Sequence, residues 1–274
     1  MIAVLCYCVD AVGARKKRHH KEKPMNAFFS TQAGCVVRWL DLPGDGVPLV
    51  FVHGLGCASS YEYPRVVCDK NFQGRRAILI DLPGYGYSEK PKEFRYSISE
   101  QAAVVCELIA HLQLDDYFLY GHSMGGSIAI EAATQLNGLR GLIVSEPNFR
   151  PDGGFFSRQI CRVDEETYIT HVYALMMNNY KNPWTGSLSA AAPWAVWRGA
   201  SSLITGNQWF EMFVELNKPI CLLFGAESLP DADFTQLSAM GIATVELADC
   251  GHNMSWENPP ALAAALAAFC TAHE

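Results

Sequence analysis

Tyr117-Phe-Leu-Tyr-Gly-His-Ser-Met-Gly-Gly126 carries a short apolar run into helix-forming residues through a turn built on glycine. Tyr117–Tyr120 reads as a buried strand, and a helix is predicted from Met124 to about Gln135. A strand that becomes a helix within three residues bends so sharply that its flanking positions must be small, and glycine removes the Cβ clash. Such a turn lifts the Ser123 hydroxyl off the end of the sheet, where the N–H groups and positive end of the following helix converge. G-x-S-x-G in this strand–turn–helix setting marks Ser123 as a candidate nucleophile.

The same rhythm extends outward. Ala27–Gln32 and Cys35–Asp41 flank Ala33-Gly34 and read as an opening β-hairpin. Pro48–His53 and Ala77–Asp81 are short apolar runs of the kind buried on both faces of a parallel sheet. Ser97 and Glu100 form a capping box opening a helix through about Leu112. Leu142–Ser145 is a further strand. After a gap the alternation resumes with Ile220–Phe224, a helix near Asp233–Met240, the strand Ala243–Leu247 and an alanine-rich helix from Pro260 to about Thr271. Alternation of this kind implies an α/β fold with a mostly parallel sheet, here of eight strands. Residues 147–216 interrupt it: they hold no strong strand, read as helical, and contain Trp184, Trp194, Trp197 and Trp209. The expected organisation is a core of residues 25–146 and 217–274, a helical cap at 147–216, and a basic extension at 1–24.

Half of the 274 residues are hydrophobic and 18% are charged, which suits a packed core. The net charge of −7 hides an asymmetry. Residues 15–23 hold six of the 21 basic side chains, so residues 25–274 carry 15 Lys and Arg against 26 Asp and Glu. An acidic body is a poor partner for nucleic acid, and the basic run reads as a solvated, disordered tail. Ten cysteines show neither C-x-x-C pairs nor zinc spacing, so no metal is expected and most thiols read as small buried apolar groups. No apolar stretch is long enough to span a membrane, and the apolar start lacks a basic leader, so a cytoplasmic location is expected.

A serine hydroxyl needs a base to act as a nucleophile at neutral pH. His252, in Asp249-Cys-Gly-His-Asn-Met254, follows the last strand and precedes the last helix, where a loop at the carboxyl edge of the sheet reaches a serine at the elbow. Backbone N–H donors for an oxyanion are expected from Met124, directly after the serine, and from Leu55 in His53-Gly-Leu-Gly56 after an early strand.

His53-Gly-Leu-Gly56, Asp81-Leu-Pro-Gly-Tyr-Gly-Tyr-Ser88, Gly121-His-Ser-Met-Gly125 and Gly251-His252, in that order, resemble the α/β-hydrolase superfamily over about residues 30 to 270. The likeness is to its capped esterases, carbon–carbon bond hydrolases and cofactor-free haloperoxidase-like members. It implies a catalytic triad and no organic cofactor. Asp81–Ser88 would be a structural turn shaping the pocket floor. Family members most often place the triad acid as an Asp at the position held here by Ser228. Others, such as haloalkane dehalogenases, carry it after the strand that follows the elbow helix, the place of Glu146. Glu146 is the preferred acid, with Glu227, Asp231 and Asp233 as alternatives. Relatives that open epoxides or displace halide use Asp at the elbow, so Ser123 points to acyl transfer. The expected activity is hydrolysis of an ester, thioester, lactone or activated carbonyl bond through an acyl-enzyme. The alternatives are carbon–carbon bond cleavage or a lyase reaction on the same groups, or a ligand sensor that keeps the fold. The aromatic cap predicts a modest-sized apolar acyl or aryl substrate, handled by a monomer or homodimer.

Overall fold

A computed structural model describes residues 25–179 and 182–274 of the chain. The expectations for residues 1–24 and for Tyr180 lie outside the described residues. Eight strands form one sheet: β1 (Asn26–Ser30), β2 (Cys35–Leu42), β3 (Asp45–Val52), β4 (Arg75–Asp81), β5 (Tyr117–His122), β6 (Leu139–Ser145), β7 (Ile220–Gly225) and β8 (Ala243–Leu247). Their spatial order is β1-β2-β4-β3-β5-β6-β7-β8. β2 runs antiparallel to both its neighbours, and every pair from β4 to β8 is parallel.

The helices of the body are α1 (Ser59–Glu62), α2 (Pro64–Val67), α3 (Ile98–Leu112) and α4 (Met124–Ala133). Between β6 and β7 lie α5 (Phe155–Ile160), α6 (Glu165–Thr167), α7 (Tyr173–Asn179), α8 (Pro183–Leu188), α9 (Pro193–Thr205) and α10 (Trp209–Val214), which make up the insertion. α11 (Ala232–Ala239), α12 (Met254–Glu257) and α13 (Pro259–Ala272) complete the chain. Ser97 and Glu100 close the capping box that starts α3. Among the described residues no helix is long and apolar enough to cross a membrane.

The central strands are apolar without alternation because helices cover both faces. Val50, Val52, Ile78, Ile80 and Leu119 pack toward α3 and α4. Leu49, Phe51, Leu79, Phe118 and Tyr120 face the opposite layer, with Leu262 and Leu266 of α13. Fully burying such a side chain stabilises the fold by about 1.5–3 kcal/mol. Phe51 is fully buried and its ring meets Tyr63, Phe72 and Tyr120. Phe51→Ala should therefore destabilise by about 3–5 kcal/mol.

Strand order positions the site. The chain goes from β3 to β4 on one side and then crosses to β5 on the other, so the direction of winding reverses at the β3/β5 pair. A crevice opens at the carboxyl ends of strands where winding reverses. The register pairs Val52 with Gly121 and His122 with Ser145, which brings the ends of β3, β5 and β6 level.

Candidate active site

The turn after β5 is as tight as its glycines imply. A Cβ on Gly121 would stand 2.2 Å from the Gly125 carbonyl oxygen, and one on Gly125 would stand 2.3 Å from that of Val52. Ser123 has φ 53° and ψ −123°, a backbone state that L-residues rarely adopt, and its N–H donates to Ser145 O at 2.9 Å. Backbone strain of this kind costs about 1–3 kcal/mol and persists only where the surroundings enforce it.

His252 lies on the loop between β8 and α12, and Glu146 directly follows β6. Their side chains meet, with His252 Nδ1 2.7 Å from Glu146 Oε2. The Glu146 side chain is 8% exposed and that of His252 42%. Glu146 Oε1 accepts the Gly225 N–H at 3.0 Å. Burial alone would raise the Glu146 pKa. The His252 ring, the Gly225 N–H and the Ser228 hydroxyl outweigh burial and hold it below the ordinary carboxylate value. An ionised Glu146 requires the hydrogen on Nδ1 of the neutral ring, which leaves Nε2 as the free base.

Two of the other carboxylates have partners of their own. Asp231 Oδ1 accepts the Phe234 N–H at the start of α11, and Asp233 pairs with Arg150 at 2.8 Å. Glu227 is exposed. Ser228, where many relatives carry the acid, stands beside Glu146.

Ser123, His252, Leu55 and Phe156 line one cavity, together with Trp184 and His122. A second also reaches Ser123 and His252, and adds Asn148, Ser157, Ser228 and Asp231. Among the described residues Ser123 Oγ and the His252 ring share no direct hydrogen bond. Bonds of this type often tighten only when a substrate is bound.

The loop after β3 lies against the serine: a Cβ on Gly54 would be 3.3 Å from Ser123 Cβ. Leu82 N–H donates to His53 Nε2 at 3.1 Å, so the hydrogen of this ring is on Nδ1, which donates to Gly54 O at 2.9 Å. Cys57 N–H donates to the same carbonyl at 3.1 Å. In a trans peptide C=O and N–H point opposite ways, so these two bonds orient the Leu55 N–H. Burial keeps the fully enclosed His53 neutral by lowering its pKa. Met124, which begins α4 immediately after Ser123, is 1% exposed.

Three features were not read from the sequence. His122 is buried, with Nδ1 2.9 Å from Ser145 Oγ, which is 2.8 Å from Tyr120 Oη. Its ring lies 4.7 Å from that of His252, and burial, with the nearby His252, lowers its pKa to about 3. Its place beside the serine was the available signal. Phe156 and Trp184 of the insertion reach the cavity, while Phe149 packs on Phe210 and Phe213, and Trp209 donates to the buried Glu131 at 2.7 Å. Asp81–Ser88 forms no pocket floor, since neither cavity at Ser123 is lined by it. Instead Asp81 accepts from Ser60 and from Tyr87 N–H, and Tyr85 Oη donates to Ala195 O, tying this turn to the insertion.

A family model described as "Alpha/beta hydrolase family" matches residues 49–265. The dihydrolipoyllysine-residue acetyltransferase component of an acetoin cleaving system from Pseudomonas putida is 36% identical over 104 residues, 36% of this chain and 26% of that protein. Haloalkane dehalogenase 2 from Mycobacterium tuberculosis is 29% identical over 138 residues, 50% of this chain and 47% of the relative. The chain thus spans about a quarter to a half of the length of these curated relatives. A solved thermophilic esterase from Thermogutta terrifontis superposes with a TM-score of 0.73 at 22% identity, covering 91% of this chain and 99% of the esterase, a likeness of fold.

Proposed function

The chain belongs to the alpha/beta hydrolase family, and on that premise we propose that it is a serine hydrolase cleaving ester, thioester or lactone bonds of small apolar substrates. One observation carries this reading: the 2.7 Å bond from Glu146 to His252 in a cavity that Ser123 shares. Ser123 Oγ attacks the substrate carbonyl carbon and His252 Nε2 takes the hydroxyl proton. Glu146 holds the Nδ1 hydrogen and stabilises the imidazolium that forms. The Leu55 and Met124 N–H groups receive the oxyanion. The tetrahedral adduct collapses, the C–O or C–S bond breaks, and His252 returns the proton to the leaving group. Water, deprotonated by His252, then attacks the acyl-enzyme and releases the acid and Ser123. A serine at the elbow distinguishes this chemistry from that of relatives in which a carboxylate forms the covalent bond.

The aromatic insertion supports the choice of substrate. Phe156 and Trp184 at the cavity offer apolar contact, and each buried ligand CH₂ adds about 0.8 kcal/mol. The test is a panel of esters, lactones and 1,3-diketones, with fluorophosphonate labelling and Ser123→Ala as control. Hydrolysis and labelling are expected in the wild type and lost in the variant. Labelling that persists in Ser123→Ala, or cleavage of diketones without esters, would overturn the reading. So would a preference for strongly charged or sugar-based substrates.

A further inference from the structure

Two successive carbonyls in the loop after β3 are held from different parts of the molecule. Gly54 O accepts from His53 and Cys57, both in the body. Leu55 O accepts the Trp184 Nε1–H at 2.9 Å, and Trp184 is on α8 of the insertion, 129 residues further along. The packing is as close as the hydrogen bond. Gly56 has φ 71°, and a Cβ there would stand 2.9 Å from Leu188 Cδ1 and 3.1 Å from Trp184 Nε1. α8 therefore rests directly on the loop backbone at a position that only glycine fills. Trp184 is 8% exposed, and the Phe156 ring packs on its indole at 5.0 Å. The Asn182 side chain caps α8 by accepting the Thr185 N–H at 3.0 Å.

Fixing the Leu55 carbonyl fixes the Leu55–Gly56 peptide plane. It thereby restricts the rotation about Leu55 that would reorient its own N–H. We propose that Trp184 is a positioning residue for the oxyanion loop, so that the insertion completes the site as well as lining it; this rests on the serine-hydrolase reading above. Donors fixed in advance, where charge develops, need no reorganisation during reaction, so a looser loop lowers turnover more than binding.

Trp184→Phe keeps an aromatic ring and removes the N–H. With a p-nitrophenyl ester, kcat should fall about tenfold, less than the 10²–10³ of deleting a donor outright. KM should change less than twofold, and affinity for phenylboronic acid should fall in step with kcat/KM. Trp184→Ala should raise KM as well. A loss confined to KM in Trp184→Phe, or unchanged kcat, would overturn the proposal. A second measurement is independent of catalysis: amide ¹H–¹⁵N shifts and hydrogen exchange of Leu55 and Gly56 in the full chain. They should move in Trp184→Phe, and unmoved amides would overturn the proposal even if activity dropped. If the wild type neither hydrolyses esters nor labels at Ser123, the serine-hydrolase reading fails, while the amides still report whether Trp184 holds the loop.

Discussion

Glu146 and His252 stand 106 positions apart in the chain, and their contact depends on β7 pairing with both β6 and β8. Glu146→Gln should leave the fold in place and lower kcat by about 10³–10⁴-fold, because the ring loses the charge that fixes its tautomer and stabilises its protonated form. Glu227→Gln should stay within about twofold of wild type, since that carboxylate is exposed and outside both cavities. Steady-state kinetics on the two variants check this, and the reverse ranking would move the acid to Glu227. The places of Ser123 and His252 could be read from the sequence because each sits at a fixed offset from a strand and a helix. The carboxylate that meets His252 could not be read as firmly: four carboxylates follow strand ends on the same edge. Which one reaches the ring depends on the 39° φ at Glu146 and on the partners that Asp231 and Asp233 find elsewhere.

At the scale of elements, the insertion is where sequence patterning loses its grip. Helical character was legible over 147–216, because that stretch carries no period-2 apolar run. Which aromatic faces the site was not, because Trp184 and Trp209 look alike in sequence. They part only through their partners: Leu55 O in the loop for one, the buried Glu131 on α4 for the other. Among the described residues, Phe156 is the one side chain of the insertion that lines both cavities at Ser123. It therefore stands on the boundary the two cavities share. Phe156→Ala should join the two spaces and raise the ratio of kcat/KM for octanoyl over acetyl p-nitrophenyl esters by at least about tenfold, the value of two or three newly buried methylenes. An unchanged ratio in a variant that melts like wild type would show that Phe156 does not limit acyl length.

For the whole molecule, His122 and His53 tie stability to pH. The unfolded chain takes a proton on each histidine near pH 6.5, whereas folded His122 resists until pH about 3 and folded His53 is likewise lowered. Between the two values for His122 the unfolded state binds more protons, so stability falls as pH drops, by about 1.4 kcal/mol per pH unit for that histidine, and His53 acts in the same direction. Glu146 acts in the same direction lower down: its folded pKa is depressed, so its contribution is lost as pH falls through the carboxylate range. Glu62 opposes them, since burial raises its pKa and protonation favours the folded form. Urea unfolding from pH 7 to pH 4 should show the decline, and His122→Asn should flatten it. A stability flat across that range would mean that His122 is not buried in neutral form. Both histidines were visible as motif members, but their burial follows from the closing of the sheet and helices over them.

The positive φ at Ser123 has a consequence for any population of variants selected for heat tolerance alone. Glycine accepts φ 53° and ψ −123° without penalty, so Ser123→Gly should melt above wild type, whereas Ser123→Ala, which keeps a Cβ, should not. Under a screen that scores survival and ignores turnover, the serine proposed as nucleophile is among the first residues to be discarded. A lineage relieved of its chemistry would drift downhill in energy toward an inert scaffold with its pocket intact.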